Sequence, residues 1–245
     1  MSAYGSIPKS SNSGSPLSAT FWGVRRVALS DPLQPPVDSD VTIHHLPDVS
    51  AARSYPGLVD YLGVVMAKEI EDGRTYPQET MSADAFETYF FSGDVFVAII
   101  YSGTSGHEDG TQATSTIDEA RQQRSWEECL AGFYYIKPNY PGRSSHICNG
   151  GFVVPPIQRA KGYGTALAKS YVHYAPRLGY RGSVFNLVYV NNAASVKLWE
   201  GLGFHKTGVI PKAGRLRRKD GNGEEYVDAW VFYKSFVDED GSHPM

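Results

Sequence analysis

The sequence predicts a single α/β domain with an N-terminal extension, its sheet mixed but mostly antiparallel and flanked by helices. Three observations carry that prediction. Short runs rich in β-branched and aromatic residues alternate along the chain with apolar residues at helical spacing. Hydrophobic residues make up 41% of the 245, enough for a core that offsets the chain entropy lost on folding. No internal repeat and no second core is evident, so one domain over residues 18–237 is the economical reading.

Residues 1–17 are largely Ser, Gly and Pro and are expected to form a disordered tail, as are residues 238–245. Strands are expected over 20–29 and 41–46, separated by a turn-rich stretch holding Pro32, Pro35 and Pro36. Leu58, Leu62, Val65, Met66 and Ile70 share one helical face, and Gly73 stands where a helix-ending left-handed residue is wanted, which predicts a helix over 56–72. Ser82 can cap a shorter helix bearing Phe86, Tyr89 and Phe90, and 95–101 reads as a strand. Between 102 and 124 the composition swings to Gly, Ser, Thr, Gln and charge, so a mobile surface insertion is expected there. Strands over 129–136 and 146–154 pair naturally as an antiparallel hairpin. Tyr163, Leu167, Tyr171 and Ala175 recur at i+4 with Gly179 beyond them, predicting a helix over 161–178 that leads into a strand over 183–190. A short helix with Val196, Trp199 and Leu202 follows, then strands near 204–210 and 227–233 joined by a basic polar hairpin.

Composition excludes several function classes. With 23 basic and 26 acidic side chains the formal charge is −3, unlike the strongly basic balance of a nucleic-acid binder, so no nucleic-acid partner is expected. No apolar run approaches the roughly 20 residues of a membrane helix, and the N-terminus lacks a signal-type apolar stretch. The expected address is cytoplasmic, with the nucleus also open. Cys129 and Cys148 cannot make a disulfide framework and are expected to sit reduced in buried strands. His44 and His45 lack the further ligands a metal site needs, so no metal is expected.

The chemistry is concentrated in two stretches. In the first, a strand ending at Phe152-Val153-Val154 runs through Pro155 and Pro156 into Arg159-Ala160-Lys161-Gly162-Tyr163-Gly164-Thr165, where a helix opens. Glycines there let a ligand approach the backbone, and the first helical N–H groups are unpaired donors at the positive end of the dipole, a place suited to a pyrophosphate. A plain glycine-tolerant turn explains a lone G-x-G equally well, and Leu167 in the third glycine position disfavours a dinucleotide fingerprint. The second stretch is Asn191-Asn192 directly after a strand, continuing to Ser195, Leu198-Trp199 and Leu202-Gly203-Phe204; by itself Asn192 fits a helix cap.

Taken in order, Arg159-x-x-Gly-x-Gly and Asn192-x-x-Ser-x-x-Leu-Trp-x-x-Leu-Gly-Phe resemble the two acetyl-CoA motifs of the GCN5-related N-acetyltransferase (GNAT) superfamily. Further segments resemble that superfamily's fungal branch, which acetylates proline analogues such as L-azetidine-2-carboxylate: Gly-Arg-Thr-Tyr-Pro-Gln (73–78), Phe-Tyr-Tyr-Ile-Lys-Pro-Asn-Tyr (133–140), Ser-His-Ile-Cys-Asn-Gly-Gly-Phe (145–152), Tyr-Ala-Pro-Arg-Leu-Gly-Tyr (174–180) and Phe-Asn-Leu-Val-Tyr-Val-Asn-Asn (185–192). This likeness covers roughly residues 55–236, with the tail and the 102–124 segment outside it. It implies a GNAT fold, acetyl-CoA as cosubstrate, and acetyl transfer to the ring nitrogen of a small imino acid, pyrroline-5-carboxylate among them, in detoxification of proline analogues. A homodimer is compatible with the branch.

The resemblance also implies roles. Arg159, Ala160, Lys161, Gly162, Tyr163, Gly164 and Thr165 would hold the pyrophosphate. Backbone at Phe152, Val153 and Val154 would hold the pantetheine, with the carbonyl near the Phe152 amide. Many superfamily members carry a leaving-group Tyr where this chain has Trp199, and an indole N–H is far too weak an acid for that role. Asn192 is therefore assigned as the catalytic donor that stabilises the CoA thiolate. Asn149 is assigned to substrate binding, and Asn186 with Leu187 to a substrate carboxylate through their backbone N–H groups. His146 reads as a structural residue or a water-mediated base; Tyr76 and Gln78 as pocket-closing or loop-packing residues; and Lys212, Arg215, Arg217, Arg218 and Lys219 as a solvated basic hairpin or a contact to the ribose phosphate. Two alternatives stay open: a protein or polyamine lysine acetyltransferase, and a CoA-binding module without catalysis.

Overall fold

The computed structural model describes residues 7, 15–26 and 37–238, the side chains of 25, 26, 37 and 38 excepted. The expected N-terminal tail, apart from residues 7 and 15–17, lies outside the described residues, as does the C-terminal tail after 238. Eight strands form one sheet: β1 (Thr20–Arg26), β2 (Val37–Leu46), β3 (Asp94–Ile100), β4 (Leu130–Pro138), β5 (Ile147–Val153), β6 (Gly182–Tyr189), β7 (His205–Arg217) and β8 (Glu224–Ser235). Their order is β1-β2-β3-β4-β5-β6-β8-β7, and only the β5–β6 pair is parallel. Among the described residues seven α-helices flank them: α1 (Val49–Arg53), α2 (Leu58–Asp72), α3 (Ala83–Phe90), α4 (Ile117–Arg121), α5 (Trp126–Cys129), α6 (Tyr163–Arg177) and α7 (Ala193–Gly201).

The layering follows from strand alternation. In β3, Val95, Val97 and Ile99 join Leu58, Leu62, Met66 and Phe86 of α2 and α3 on one face. Phe96 and Ala98 join Tyr163, Leu167, Tyr171 and Tyr174 of α6 on the other. A strand buried on both faces reads as the continuous apolar run seen at 95–100. The Gly73 cap has φ 64° and its N–H bonds the Ile70 carbonyl at 2.9 Å, while the Ser82 hydroxyl accepts from the Ala85 N–H at 3.2 Å. Among the described residues no helix is long and apolar enough to cross a membrane.

Several expectations need correction. β2 begins at Val37, so the last residues of the expected turn are strand, held in register by β1. Cys129 is buried but closes α5 rather than starting a strand, because the Ser125–Glu128 capping box commits that turn to helix. Residues 102–124, expected as a mobile insertion, instead cover the free edge of β1: Gly110 N–H donates to the Phe21 carbonyl at 2.9 Å, and Phe21 N–H to the Thr111 carbonyl at 2.8 Å. The same segment holds α4, with its own Thr116–Glu119 capping box, and the Arg124 guanidinium donates to the Ile100 carbonyl at 2.7 Å. Polar residues here organise backbone instead of filling a core. Lys212, Arg215 and Arg217 lie within β7, not in the turn, and Arg215 is paired with Glu79 at 2.7 Å and Glu224 at 3.1 Å.

Candidate active site

The opening in the sheet is set by its one parallel pair. β4 and β5 are in register from Phe133↔Val153 to Pro138↔Cys148, whereas β5 and β6 share only Ile147↔Gly182 and Cys148↔Ser183. Beyond those residues the two strands part, and a cavity of about 1690 Å³ occupies the space between them, α2, α3 and the first turns of α6 and α7. Gly150 and Gly151 allow the wall to form: a Cβ on Gly150 would come within 2.7 Å of the Tyr171 ring, and one on Gly151 within 2.6 Å of the Tyr135 ring.

One end of the cavity is the N-terminus of α6. Gly162 caps it with φ 84° and no side chain, so the first-turn N–H groups face the cavity without a side-chain acceptor. A Cβ on Gly164 would meet nothing within 4 Å, and Ala160 also takes a positive φ of 59° in the same loop. Phe152, Val154, Arg159, Ala160, Gly162, Tyr163, Gly164, Thr165 and Asn192, all assigned from sequence, line this space. Val153 instead packs its side chain into the α2–α3 core, and the Lys161 ammonium donates to Gln158 Oε1 at 3.0 Å. Arg159 is ion-paired with Glu69 of α2 and lies 3.5 Å from Asp72, so its charge is already partly neutralised.

Midway along the cavity Trp199 is buried against Phe185, their ring centroids 4.3 Å apart, with Phe152 at 5.0 Å. It walls the cleft and offers no acid. Asn192 Oδ1 accepts the Ser195 N–H at 3.2 Å, the helix cap expected of it. That bond fixes the amide through its oxygen, and Asn192 lines the cavity. Tyr189 also lines this region, while its hydroxyl, buried and without a hydrogen-bond partner, packs where a Cβ on Gly214 of β7 would come within 2.6 Å.

The far end is built from amides and aromatic rings. Asn139 Oδ1 accepts from Asn149 Nδ2 at 2.6 Å and from Asn186 Nδ2 at 2.7 Å, which joins three asparagines from β5, β6 and the loop after β4. With Nδ2 spent on Asn139, Asn149 keeps Oδ1 as a buried acceptor with no partner. Asn186 is exposed rather than a buried mid-strand amide, because the β6–β8 ladder steps from Phe185↔Phe232 to Val188↔Trp230. The bulge takes Asn186 and Leu187 out of that ladder. Tyr76 donates to the Phe152 carbonyl at 3.3 Å, and burial beside Tyr89 and Glu69 drives its hydroxyl pKa up. Gln78 also lines this end, with Oε1 buried and unpartnered.

An acetyltransferase (GNAT) family model matches residues 106–204 of the chain. N-acetyltransferase aca1 of Schizosaccharomyces pombe is 45% identical over 170 residues, which are 69% of this chain and 75% of that protein. The chain belongs to the GNAT acetyltransferase family. Protein SPT10 of Saccharomyces cerevisiae is 30% identical over 206 residues, 74% of this chain but 32% of that longer protein. Among solved structures, a GCN5-related N-acetyltransferase from Kribbella flavida superposes with a TM-score of 0.59 at 20% identity, covering 80% of this chain and 97% of that one. The acetyltransferase yncA from Salmonella typhimurium, solved with acetyl-CoA, gives 0.55 at 16% identity over 84% and 98% of the two chains. These likenesses establish the GNAT fold, and family membership makes the chain an N-acetyltransferase. The matched span begins inside the 102–124 segment.

Other sequence readings find their places in this GNAT frame. His146 bonds the Arg143 carbonyl at 3.1 Å on the surface and does not line the cavity. His45 bonds Asp94 at 3.0 Å, and His44 bonds Thr42 at 2.8 Å with its pKa lowered to about 4 by burial. Sequence reasoning missed Asn139, Lys137, Tyr89 and Tyr135, all of which line the acceptor end. The available signal was the single charge, Lys137, in the otherwise apolar strand 130–138.

Proposed function

We propose that this protein transfers the acetyl group of acetyl-CoA to the ring nitrogen of a small imino acid, an azetidine- or pyrrolidine-type carboxylate whose ring nitrogen is a secondary amine, and so disarms proline analogues. The observation that carries this reading is the parting of β5 and β6 after two residue pairs, beside an acceptor end made of amides and rings. The β5 edge facing the cleft is out of the ladder from Asn149 onward and is available to a pantetheine arm, with the pyrophosphate at the amides of 159–165. The thioester carbonyl would sit at the Phe152 N–H. The unprotonated ring nitrogen attacks the carbonyl carbon and negative charge builds on its oxygen. The C–S bond then breaks with its electron pair going to sulfur, where Asn192 Nδ2 donates, and the ring-nitrogen proton leaves to water.

The acceptor end favours an imino acid over a lysine side chain. The acidic residues lining the whole cavity are Glu69, already paired with Arg159 near the α6 end, and Asp84. Asn149 Oδ1 is placed to accept from the ring N–H, and the bulge at Asn186 and Leu187 offers backbone N–H groups to a carboxylate. The aca1 relative, named as an N-acetyltransferase, supports the reaction class. CoA release by the purified protein with azetidine-2-carboxylate, cis-4-hydroxyproline, proline, free lysine and a histone-tail peptide tests the reading. Turnover confined to the ring imino acids is expected; turnover on lysine or peptide alone would discard the substrate and keep the family.

A further inference from the structure

Lys137 is a cation in the acceptor end with no acid to answer it. It lies on β4 directly across from Asn149, so the two side chains share a face of the sheet, and it lines the same cavity. Its ammonium sits 4.0 Å from the centroid of the Tyr89 ring and 4.2 Å from that of Tyr135. It donates to the Tyr89 carbonyl at 3.0 Å and to Ser92 Oγ at 3.3 Å. Ser92 spends its own proton on the Tyr89 carbonyl at 2.8 Å, so its oxygen is the acceptor in the contact with Lys137. Two of the three ammonium protons are thus anchored by neutral groups. No carboxylate among the described residues lies within ion-pair distance of it.

We propose that Lys137 recognises the carboxylate of the acceptor, its third proton and its charge completing an anion site whose other donors are the neutral amides at the β6 bulge. This rests on the imino-acid reading and deepens it: the acceptor must carry a free carboxylate beside its amine. A partly buried cation held only by carbonyl, hydroxyl and ring faces lacks a counter-charge, and an arriving carboxylate supplies one at low local dielectric. Burial holds the ammonium pKa down to about 8, which marks the same deficit. The groups facing it are the Tyr89 phenol from α3, the Tyr135 phenol on β4 and Ser92; the acids that line the cavity, Glu69 and Asp84, make no ion pair with it. Recognition is therefore strongest below about pH 8, where the ammonium is charged, and fades as pH rises through that value.

The test uses the full-length protein with azetidine-2-carboxylate and azetidine-2-carboxamide, wild type against Lys137→Met, while the Lys137 side-chain NMR signal, assigned by its loss in Lys137→Met, is titrated with acetate and with acetamide. Lys137→Met should raise KM for the carboxylate about 10- to 100-fold with kcat changed less than about threefold, and leave the carboxamide within about threefold. Acetate, and not acetamide, should shift the Lys137 signal and raise its titration midpoint. Equal loss on both ring compounds with an acetate-insensitive signal would overturn the assignment and point to a base or a packing role. Wild-type inactivity on both ring compounds would overturn the imino-acid reading alone, since the acetate titration still reports on Lys137; retained acetyl-CoA affinity in Lys137→Met shows that the variant is folded.

Discussion

From β2 to β5 each strand is paired to its neighbour along most of its length, while β5 and β6 meet for two residue pairs and part. The first region fills both faces with side chains: Phe96 is fully buried and stacks on Tyr134 at 5.0 Å, and Tyr134 is tied to Ser170 of α6. The second region does the opposite: the β5–β6 ladder ends at Cys148 and a cavity opens beyond it. The contrast separates scaffold from site along one sheet. Asn149 Oδ1 and Gln78 Oε1, buried polar atoms without partners, belong to residues that line the cavity, where a ligand can complete them.

The contrast can be broken from the scaffold side first. Phe96→Ala should cost about 3–5 kcal/mol of stability, read by urea unfolding, with kcat per folded molecule unchanged. On the site side, Asn192→Ala should lower kcat by about 10²-fold, or roughly 2.7 kcal/mol. Asn192→Ser sharpens this, because serine keeps the cap to Ser195 but has no amide to offer sulfur: stability should hold while turnover falls as in the alanine variant. Normal turnover in either variant would remove Asn192 from the chemistry. Asn149→Ala should raise the acceptor KM about tenfold with little change in kcat, and a loss confined to stability would contradict its placement. The smallest effect is expected from Arg159→Ala, a few-fold rise in KM for acetyl-CoA, since Glu69 and Asp72 already hold that guanidinium.

What the sequence made legible follows the same division. α2 and α6 run 15 residues each, long enough for a 3.6-residue period to declare itself, and the Gly73 that ends α2 fell where the backbone needs it. α1, α4 and α5 span four or five residues, too few for any period, and are set by capping side chains instead. The 102–124 segment looked unstructured because much of its order comes from backbone pairing with β1 and from capping side chains, with only Ala113, Ile117 and Ala120 buried as apolar anchors. Asn192 and the loop at 159–165 stand out in the sequence because they lie in contiguous motifs, and Asn192 and most of that loop line the cavity. Lys137 shows in the sequence only as a lone charge in an apolar strand, and Asn139 not at all, because their meaning depends on the β4–β5 register, the β6 bulge and the docking of α3.

The central claim, that the gap between β5 and β6 is the acetyl-CoA slot, is tested most directly by amide hydrogen exchange with and without acetyl-CoA. Added protection should concentrate at residues 150–154 and 160–165, with β1 to β3 unchanged. Protection elsewhere on the sheet, or none at 150–154 under saturating acetyl-CoA, would contradict it.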